Sequence, residues 1–207
     1  MKSLALLSQK GGSGKTTLAI NLATVPQQAG ERVALIDTDP QESTSSWAQV
    51  RKMENPSVYK ALTPNLPGLL DKAKAEGQTI AVIDTAPHST PGMDIIAKLA
   101  DFLIIPCRPC VLDLVAISLS VQIAQAADKS AAFVLNACNP RVAETGQSRK
   151  ALERHPYSVA PVEIGSRQVY CRALTSGSTV IEFEPRGKAA QEISELWRWI
   201  KAQMEKE

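Results

Sequence analysis

A glycine-rich turn near the start of the chain constrains the fold more than any other feature of the sequence. An apolar run at residues 4–7 precedes it and a helix-like stretch at residues 18–23 follows it. Glycine lets the backbone approach a ligand closely because it has no Cβ. A strand, a glycine-rich turn and a helix start wrap backbone N–H groups around a phosphate chain. The sequence therefore predicts a phosphate-binding loop formed by Lys10, Gly11, Gly12, Ser13, Gly14, Lys15, Thr16 and Thr17.

Two side chains of this loop have predicted roles in binding a nucleotide. In a loop of this kind the Lys15 ammonium reaches the β- and γ-phosphates, and the Thr16 hydroxyl binds Mg²⁺. The chain is therefore predicted to bind ATP or GTP. The loop departs from the usual pattern, because the glycine expected five residues before the Gly–Lys pair is Gln9 here. A second lysine, Lys10, opens the loop instead.

The bulk properties are those of one globular domain. A chain of 207 residues, of which 44% are hydrophobic and 21% charged, can bury a single core. A net charge of +2 does not by itself indicate a nucleic-acid partner. We find no apolar run that approaches the ~18 residues of a membrane span. Because we also find no signal peptide, the four cysteines are expected to be reduced thiols. We expect one cytoplasmic domain over residues 1–207.

Short apolar runs alternate with helical patterns along the chain. The runs predicted as strands are 4–7, 33–36, 80–83, 102–105 and 131–135, and the predicted helices are 15–25, 42–53, 66–76, 92–100, 112–127, 142–154 and 189–205. This alternation predicts an α/β fold with a mostly parallel central sheet covered by helices on both faces. Together with the phosphate-binding loop, it predicts a fold of the P-loop NTPase type. Because proline cannot continue a helix, Pro26 predicts that the helix after the loop ends or bends near Thr24.

Asp84 follows the apolar run 80–83 at the point where the predicted strand ends. Four apolar residues closed by an aspartate are typical of a strand whose carboxylate binds the Mg²⁺ of a nucleotide. An aspartate at this point can also simply cap the next turn. Together with the phosphate-binding loop, the pattern favours Asp84 as a metal ligand.

The segment from Lys10 to Thr16 resembles the deviant Walker A motif of the ParA/MinD family of ATPases. Asp37, Asp39 and Gln41 resemble the switch I signature of that family. Further similar segments are 102–114, with its Pro-x-x-Pro and Leu-Asp-Leu pattern, 133–136, and 167–182. The resemblance covers nearly the whole chain. With a first strand expected to begin at residue 2, we expect no amino-terminal helix-turn-helix extension of the kind found in larger ParA proteins, and the chain looks similar to short plasmid-type members such as ParF.

The resemblance implies a role for each matching residue. Lys10 would contact the nucleotide held by the other subunit of an ATP-dependent homodimer, and Asp39 would orient the attacking water. Asp37 would lie near the metal, and Asn136 would contact adenine. The implied activity is slow, Mg²⁺-dependent ATP hydrolysis by Lys10, Lys15, Asp39 and Asp84. The implied partners are nonspecific DNA, which would place the ATP state on the nucleoid, and a centromere-binding protein of the ParB/ParG kind that stimulates hydrolysis.

The DNA contacts are predicted only from basic residues in the second half of the chain. The candidates are Arg149, Lys150, Arg154, Arg167, Arg172, Arg186 and Lys188. Surface lysines and arginines are usually just solvated, which is the alternative for each of them. Binding through several of these residues would fall steeply with salt concentration.

Other functions stay open at this stage. One is a MinD/McdA-like ATPase that positions a cargo or acts on a membrane surface, and another is a dethiobiotin-synthetase-like ligase. A third is an iron-protein-like reductase, because Cys107 and Cys110 form a C-x-x-C pair. The apolar stripe of the last helix fits a membrane surface or, more simply, packing on the sheet. His88 and His155 are expected to be structural or surface residues.

Overall fold

The computed structural model describes residues 1–87, 92–139 and 141–206. The strands are β1 Lys2–Leu6, β2 Val33–Asp37, β3 Ser57–Lys60, β4 Ile80–Asp84, β5 Phe102–Cys107, β6 Ala131–Leu135 and β7 Ser158–Val159. The α-helices are α1 Lys15–Thr24, α2 Ser43–Val50, α3 Leu66–Ala75, α4 Met93–Leu99, α5 Val111–Ala126, α6 Glu144–Leu152, α7 Gln168–Thr175, α8 Val180–Phe183 and α9 Lys188–Met204. Short 3₁₀ helices lie at Pro26–Ala29 and Thr63–Asn65.

The seven strands in the described ranges form one sheet in the order β3-β2-β4-β1-β5-β6-β7. Every pairing between them is parallel. The predicted fold class is thus confirmed, with a sheet that is parallel throughout rather than mostly so. In parallel sheets of this kind, ligands bind beyond the carboxyl ends of the strands. The loops after β1, β2 and β4 therefore meet at one edge of the sheet.

Strand residues alternate between two apolar cores, one on each face of the sheet. Leu4, Leu6 and Val82 face the core that contains α1 and α9, whereas Ala5 and Ile83 face the core that contains α3, α4 and α5. Burial on both faces explains why β1, β2 and β4 read as continuous apolar runs. The central strands are consequently rigid supports for the loops at their ends.

The helix after the glycine-rich turn ends just before Pro26, as the sequence predicts. α1 stops at Thr24, and a 3₁₀ turn begins at Pro26. Proline lacks the N–H that would bond the carbonyl four residues earlier, so the α-helical ladder cannot continue. The prediction from Pro26 is confirmed.

The last helix packs on the sheet through its apolar stripe. Ile193, Leu196, Trp197, Ile200 and Met204 are all buried and belong to the core shared with α1. The simpler of the two interpretations of this stripe is therefore the observed one. No helix in the described ranges has the length and apolarity required to cross a bilayer.

Candidate nucleotide-binding site

The glycine-rich turn joins β1 to α1 and is held in left-handed conformations by two glycines. Gly12 has φ +75° and Gly14 has φ +94°, a region that residues with a Cβ rarely adopt. Gly14 also caps α1, and its carbonyl accepts the first helical hydrogen bond, from the N–H of Leu18 at 2.9 Å. The N–H groups of the first helical turn are left unpaired by the helix itself. The turn can thus offer them to an anion.

Asn136, at the end of β6, packs directly beneath this turn. Its Nδ2 donates to the carbonyl of Ser13 at 2.7 Å, and a Cβ on Gly14 would lie 2.0 Å from the same nitrogen. Gly14 is therefore required both for its φ and for the close approach of Asn136. In this structure the amide supports the loop from below, and contact of Asn136 with adenine stays a prediction.

Lys15 lies inside the loop. It is buried, and its Nζ donates to the carbonyl of Ser8 at 3.1 Å. Burial lowers the pKa of Lys15, while the carboxylates of Asp84 and Asp39 act to raise it. The ammonium thus belongs to a buried cluster in which two acidic groups face one base. A phosphate would add negative charge beside Lys15 and favour its charged form.

Lys10 occupies a different position from Lys15. Its Nζ lies 2.5 Å from Oδ2 of Asp113, near the start of α5, and Arg108 contacts the other oxygen of Asp113 at 3.0 Å. Burial acts to raise the pKa of Asp113, but the bonds from Lys10 and Arg108 outweigh it, so the pKa is below its usual value. Asp113 is 3% exposed and Lys10 29%. Lys10 is therefore held at the rim of the loop by its own chain.

A cavity of about 210 Å³ lies above the turn. Its lining includes Gly12, Gly14, Lys15, Thr16 and Asp39, and Lys10 is outside it. The structure thus brings together the loop and the switch I aspartate that the sequence predicted separately. A second cavity of about 520 Å³ begins at Thr17 and extends along α7.

Asp84 is wholly buried at the end of β4. Its Oδ2 accepts from the Thr44 hydroxyl at 2.8 Å, whereas no described residue forms a well-aligned hydrogen bond with its Oδ1. Burial raises the pKa of Asp84 to about 7, which the hydroxyls of Thr44 and Thr16 and the charge of Lys15 oppose. A buried carboxylate oxygen that has no well-aligned hydrogen bond from the described residues, beside the Thr16 hydroxyl, suits a hard cation.

The described residues contain no group of three or more His, Cys, Asp or Glu side chains that could bind a metal by themselves. Mg²⁺ in nucleotide sites is held by one or two carboxylates or hydroxyls together with phosphate oxygens and water. Thr16 and Asp84 fit that requirement. When bound, the ion would neutralise charge on the β- and γ-phosphates.

The two aspartates after β2 have different surroundings. Oδ1 of Asp37 accepts from the N–H of Asp39 at 3.1 Å, and Oδ2 accepts from both the N–H and the hydroxyl of Ser45 at 2.8 Å. Asp37 thus fixes the start of α2. Asp39 accepts from the N–H of Gln41 at 2.9 Å and lines the loop cavity. The metal role of Asp37 and the water-orienting role of Asp39 stay predictions.

Sequence reasoning missed Thr44, Ser45 and Asp113, which contact the predicted site residues. A serine or threonine in the first turn of a helix is a common pattern, so the sequence carries no specific signal for Thr44 or Ser45. Asp113 belongs to the Leu-Asp-Leu pattern, but its pairing with Lys10 spans 103 residues. Only the fold shows these contacts.

Two of the seven DNA candidates are engaged inside the protein. Arg149 pairs with Glu163 at 3.1 Å, and Arg167 pairs with Glu192 at 2.5 Å. The other candidates, Lys150, Arg154, Arg172, Arg186 and Lys188, are exposed, and none forms an ion pair within the described part of the chain. These five are the better candidates for binding phosphates, and their role stays a prediction.

The cysteine pair and the histidines have structural surroundings. Cys107 is buried and Cys110 exposed, so the two thiols do not share one surface. Burial, with the charge of Asp113, raises the pKa of Cys107 to about 12, which keeps the thiol protonated and disfavours metal binding. The His155 ring packs edge-on against Phe133 with 5.6 Å between centroids. His88 lies outside the described residues.

This fold and this loop define a P-loop nucleotide-binding domain. Residues 4–181 match the family described as the CobQ/CobB/MinD/ParA nucleotide binding domain, and the chain belongs to that family. The resemblance to the ParA/MinD ATPases inferred from the sequence is confirmed.

Among its relatives, the chain is 32% identical to the maintenance of carboxysome distribution protein A of Halothiobacillus neapolitanus, over 94% of each chain. It is 38% identical to the chromosome partitioning protein ParA of Caulobacter vibrioides, over 49% of this chain and 33% of that one. The structure of the Aquifex aeolicus MinC:MinD cell division complex superimposes with a TM-score of 0.80 and 17% identity, over 98% of this chain and 96% of that one. The last comparison shows the shared fold.

Proposed function

We propose that this protein is an ATP-dependent partition ATPase. Two copies close around ATP, the dimer binds DNA without sequence specificity, and hydrolysis stimulated by a partner protein releases it. Lys15 holds the phosphates, Thr16 and Asp84 hold Mg²⁺, Asp39 orients water, and Lys10 reaches the nucleotide of the other copy. Phosphoryl transfer depends mainly on positioning and charge neutralisation, which these groups supply.

The position of Lys10 carries this proposal. Its ammonium lies outside the cavity of its own loop, while Lys15 already supplies the buried positive charge there. A lysine 29% exposed at the rim of the site is accessible to a second molecule placed face to face. This position supports the proposal that Lys10 of a second copy completes the site.

The first test is oligomeric state. Sedimentation of the purified chain with a nonhydrolysable ATP analogue and Mg²⁺ is expected to give a dimer, whereas the nucleotide-free chain is expected to be monomeric. Lys10→Ala should bind the analogue but fail to dimerise, and Lys15→Ala should fail to bind it. A monomer at saturating analogue, or a dimer formed equally well by Lys10→Ala, would contradict the proposal.

The second test is the ATPase rate with nonspecific DNA alone, with a candidate centromere-binding protein alone, and with both. We expect a slow basal rate and the largest stimulation with both present. Stimulation by a small carboxylate substrate in place of DNA and partner would indicate a ligase instead.

A second candidate function is the positioning of a particle rather than a DNA replicon. The alignment of 94% of both chains with a protein for maintenance of carboxysome distribution favours it, because the ParA match covers only half of this chain. Both functions would use the same ATP-dependent dimer and would differ in the surface it acts on and in the partner that links it to cargo. The test is deletion of the gene. Loss of a plasmid from the deletion strain would support partition, whereas clustering of a particle in cells that still inherit their plasmids stably would support positioning.

A further inference from the structure

The segment that connects β2 to α2 contacts Asp84 at two points. The Asp84 carbonyl accepts from the N–H of Thr38 at 3.0 Å and from its hydroxyl at 2.8 Å. The Asp84 carboxylate accepts from the Thr44 hydroxyl at 2.8 Å. Thr44 and Asp84 have no exposed surface. The end of β4 is thus fixed in both backbone and side chain by a segment that begins 40 or more residues earlier.

The Thr44 bond decides which oxygen of Asp84 is available. Oδ2 is occupied by the hydroxyl, while Oδ1 has no well-aligned partner among the described residues, although it is buried beside the phosphate-binding loop. A carboxylate free to rotate would present either oxygen or share both. With Oδ2 held, Oδ1 is the atom left to bind a cation. A hydrogen bond to a metal-binding carboxylate fixes the ligand in its binding orientation.

We propose that Thr44 is a positioning residue that holds Asp84 so that its Oδ1 binds the Mg²⁺ of the nucleotide. This inference rests on the proposed function, because it assigns Asp84 to a Mg²⁺–nucleotide site. Thr44 lies in the first turn of α2, and Ser45 of the same turn holds Asp37. The start of α2 is therefore bonded to two carboxylates of the site. Its position and the geometry of the metal ligand are linked through Thr44.

The test is Mg²⁺-dependent nucleotide binding by the full chain carrying Thr44→Val. Valine keeps the shape of threonine and removes the hydroxyl, so Oδ2 of Asp84 loses the hydrogen bond from Thr44. Affinity for a fluorescent ADP analogue is measured by anisotropy at increasing Mg²⁺ concentrations and again in EDTA. We expect the Mg²⁺ concentration at half-maximal effect to rise by roughly tenfold or more, the usual effect of removing a residue that orients a metal ligand. Affinity in EDTA should be unchanged.

Two further variants separate positioning from a structural role. Thr44→Ser keeps a hydroxyl and should restore the wild-type Mg²⁺ dependence. Thr24→Val removes another buried threonine hydroxyl, one that bonds Asn21 and Thr179 away from Asp84, and should leave the Mg²⁺ dependence unchanged. If Thr44→Val does not fold, Thr44→Ala is measured in the same way. If neither Thr44 variant folds while the Thr24→Val control does, the proposal is overturned, since Thr44 would then be needed for the fold itself.

The remaining outcomes are also distinct. A Thr44→Val protein with wild-type Mg²⁺ dependence, or with equal losses of affinity in Mg²⁺ and in EDTA, overturns the role of Thr44 and leaves the proposed function intact. A wild-type chain that binds no nucleotide, or binds it without any Mg²⁺ dependence, overturns the proposed function itself.

Discussion

The contact between Lys10 and Asp113 is expected to oppose dimerisation. If Lys10 must leave Asp113 to reach a second molecule, weakening the contact should make the ATP-bound dimer tighter. Asp113→Asn keeps the size of the side chain and removes its charge. Because Asp113 is 3% exposed and Lys10 29%, the pair is partly screened by solvent.

The size of the effect follows from the bonds involved. In Asp113→Asn the Lys10 ammonium stays charged, and what is lost is its attraction to the carboxylate, which for a partly screened ion pair contributes up to about 1 kcal/mol. The substitution should therefore weaken the contact of Lys10 by about 1 kcal/mol. Each dimer releases two such lysines, so dimerisation should gain about 2 kcal/mol, or roughly thirtyfold in the dimer dissociation constant.

The assay is sedimentation over a concentration series with saturating nonhydrolysable ATP analogue and Mg²⁺. Lys10→Ala is the control that should not dimerise, and Lys10→Ala combined with Asp113→Asn should behave like Lys10→Ala alone. An unchanged or weaker dimer for Asp113→Asn would refute the reasoning, because Asp113 would then hold a lysine in the dimer as well.

Two further predictions concern the loop and the stability of the fold. Gly14→Ala should abolish nucleotide binding and lower the melting temperature, since a left-handed φ costs a residue with a Cβ about 1–2 kcal/mol and the Cβ would meet Asn136 at 2.0 Å. Adding Asn136→Ala removes the clash but not the unfavourable φ, so it should restore only part of the lost melting temperature. Full recovery would show that φ is unimportant. Burial acts to raise the pKa of Glu182, but hydrogen bonds from Arg51 and Thr179 outweigh it and lower the pKa below its ordinary 4.5. The contribution of ionised Glu182 to the free energy of unfolding is therefore fully present above its ordinary pKa of 4.5, and it is lost as the pH falls through the lower pKa of the folded state. Denaturant unfolding of Glu182→Gln should show a smaller loss of stability on acidification than the wild type, and an equal loss would exclude Glu182 as a source.

Local sequence patterns were sufficient to predict those parts of the structure that are formed by one short, continuous segment of the chain. The phosphate-binding loop and the end of α1 before Pro26 each depend on a short segment with its own physical rule. Strand β3 was missed because it is an edge strand whose four residues, Ser57–Lys60, contain no continuous apolar run. Strand β7 was missed because it has only two residues. Neither presents a pattern that a sequence can reveal.

The bonds that orient the site could not be predicted for a different reason. Thr44 contacts Asp84 across 40 residues, and Lys10 contacts Asp113 across 103. Such pairs depend on the order of strands in the sheet, which alternating strands and helices do not specify. The sequence indicates which carboxylates end strands, and only the fold shows which hydroxyl or ammonium group reaches each of them.

The burial of the final helix has a consequence for any contact with lipid. Trp197 and Ile200 of α9 form part of the same apolar interior as Leu18 of α1, the helix that follows the phosphate-binding loop. The helix cannot insert this face into a bilayer while the interior stays intact. Attachment to vesicles by that route would expose the back of α1, and amide hydrogens of α1 would then exchange faster with vesicles present than without them.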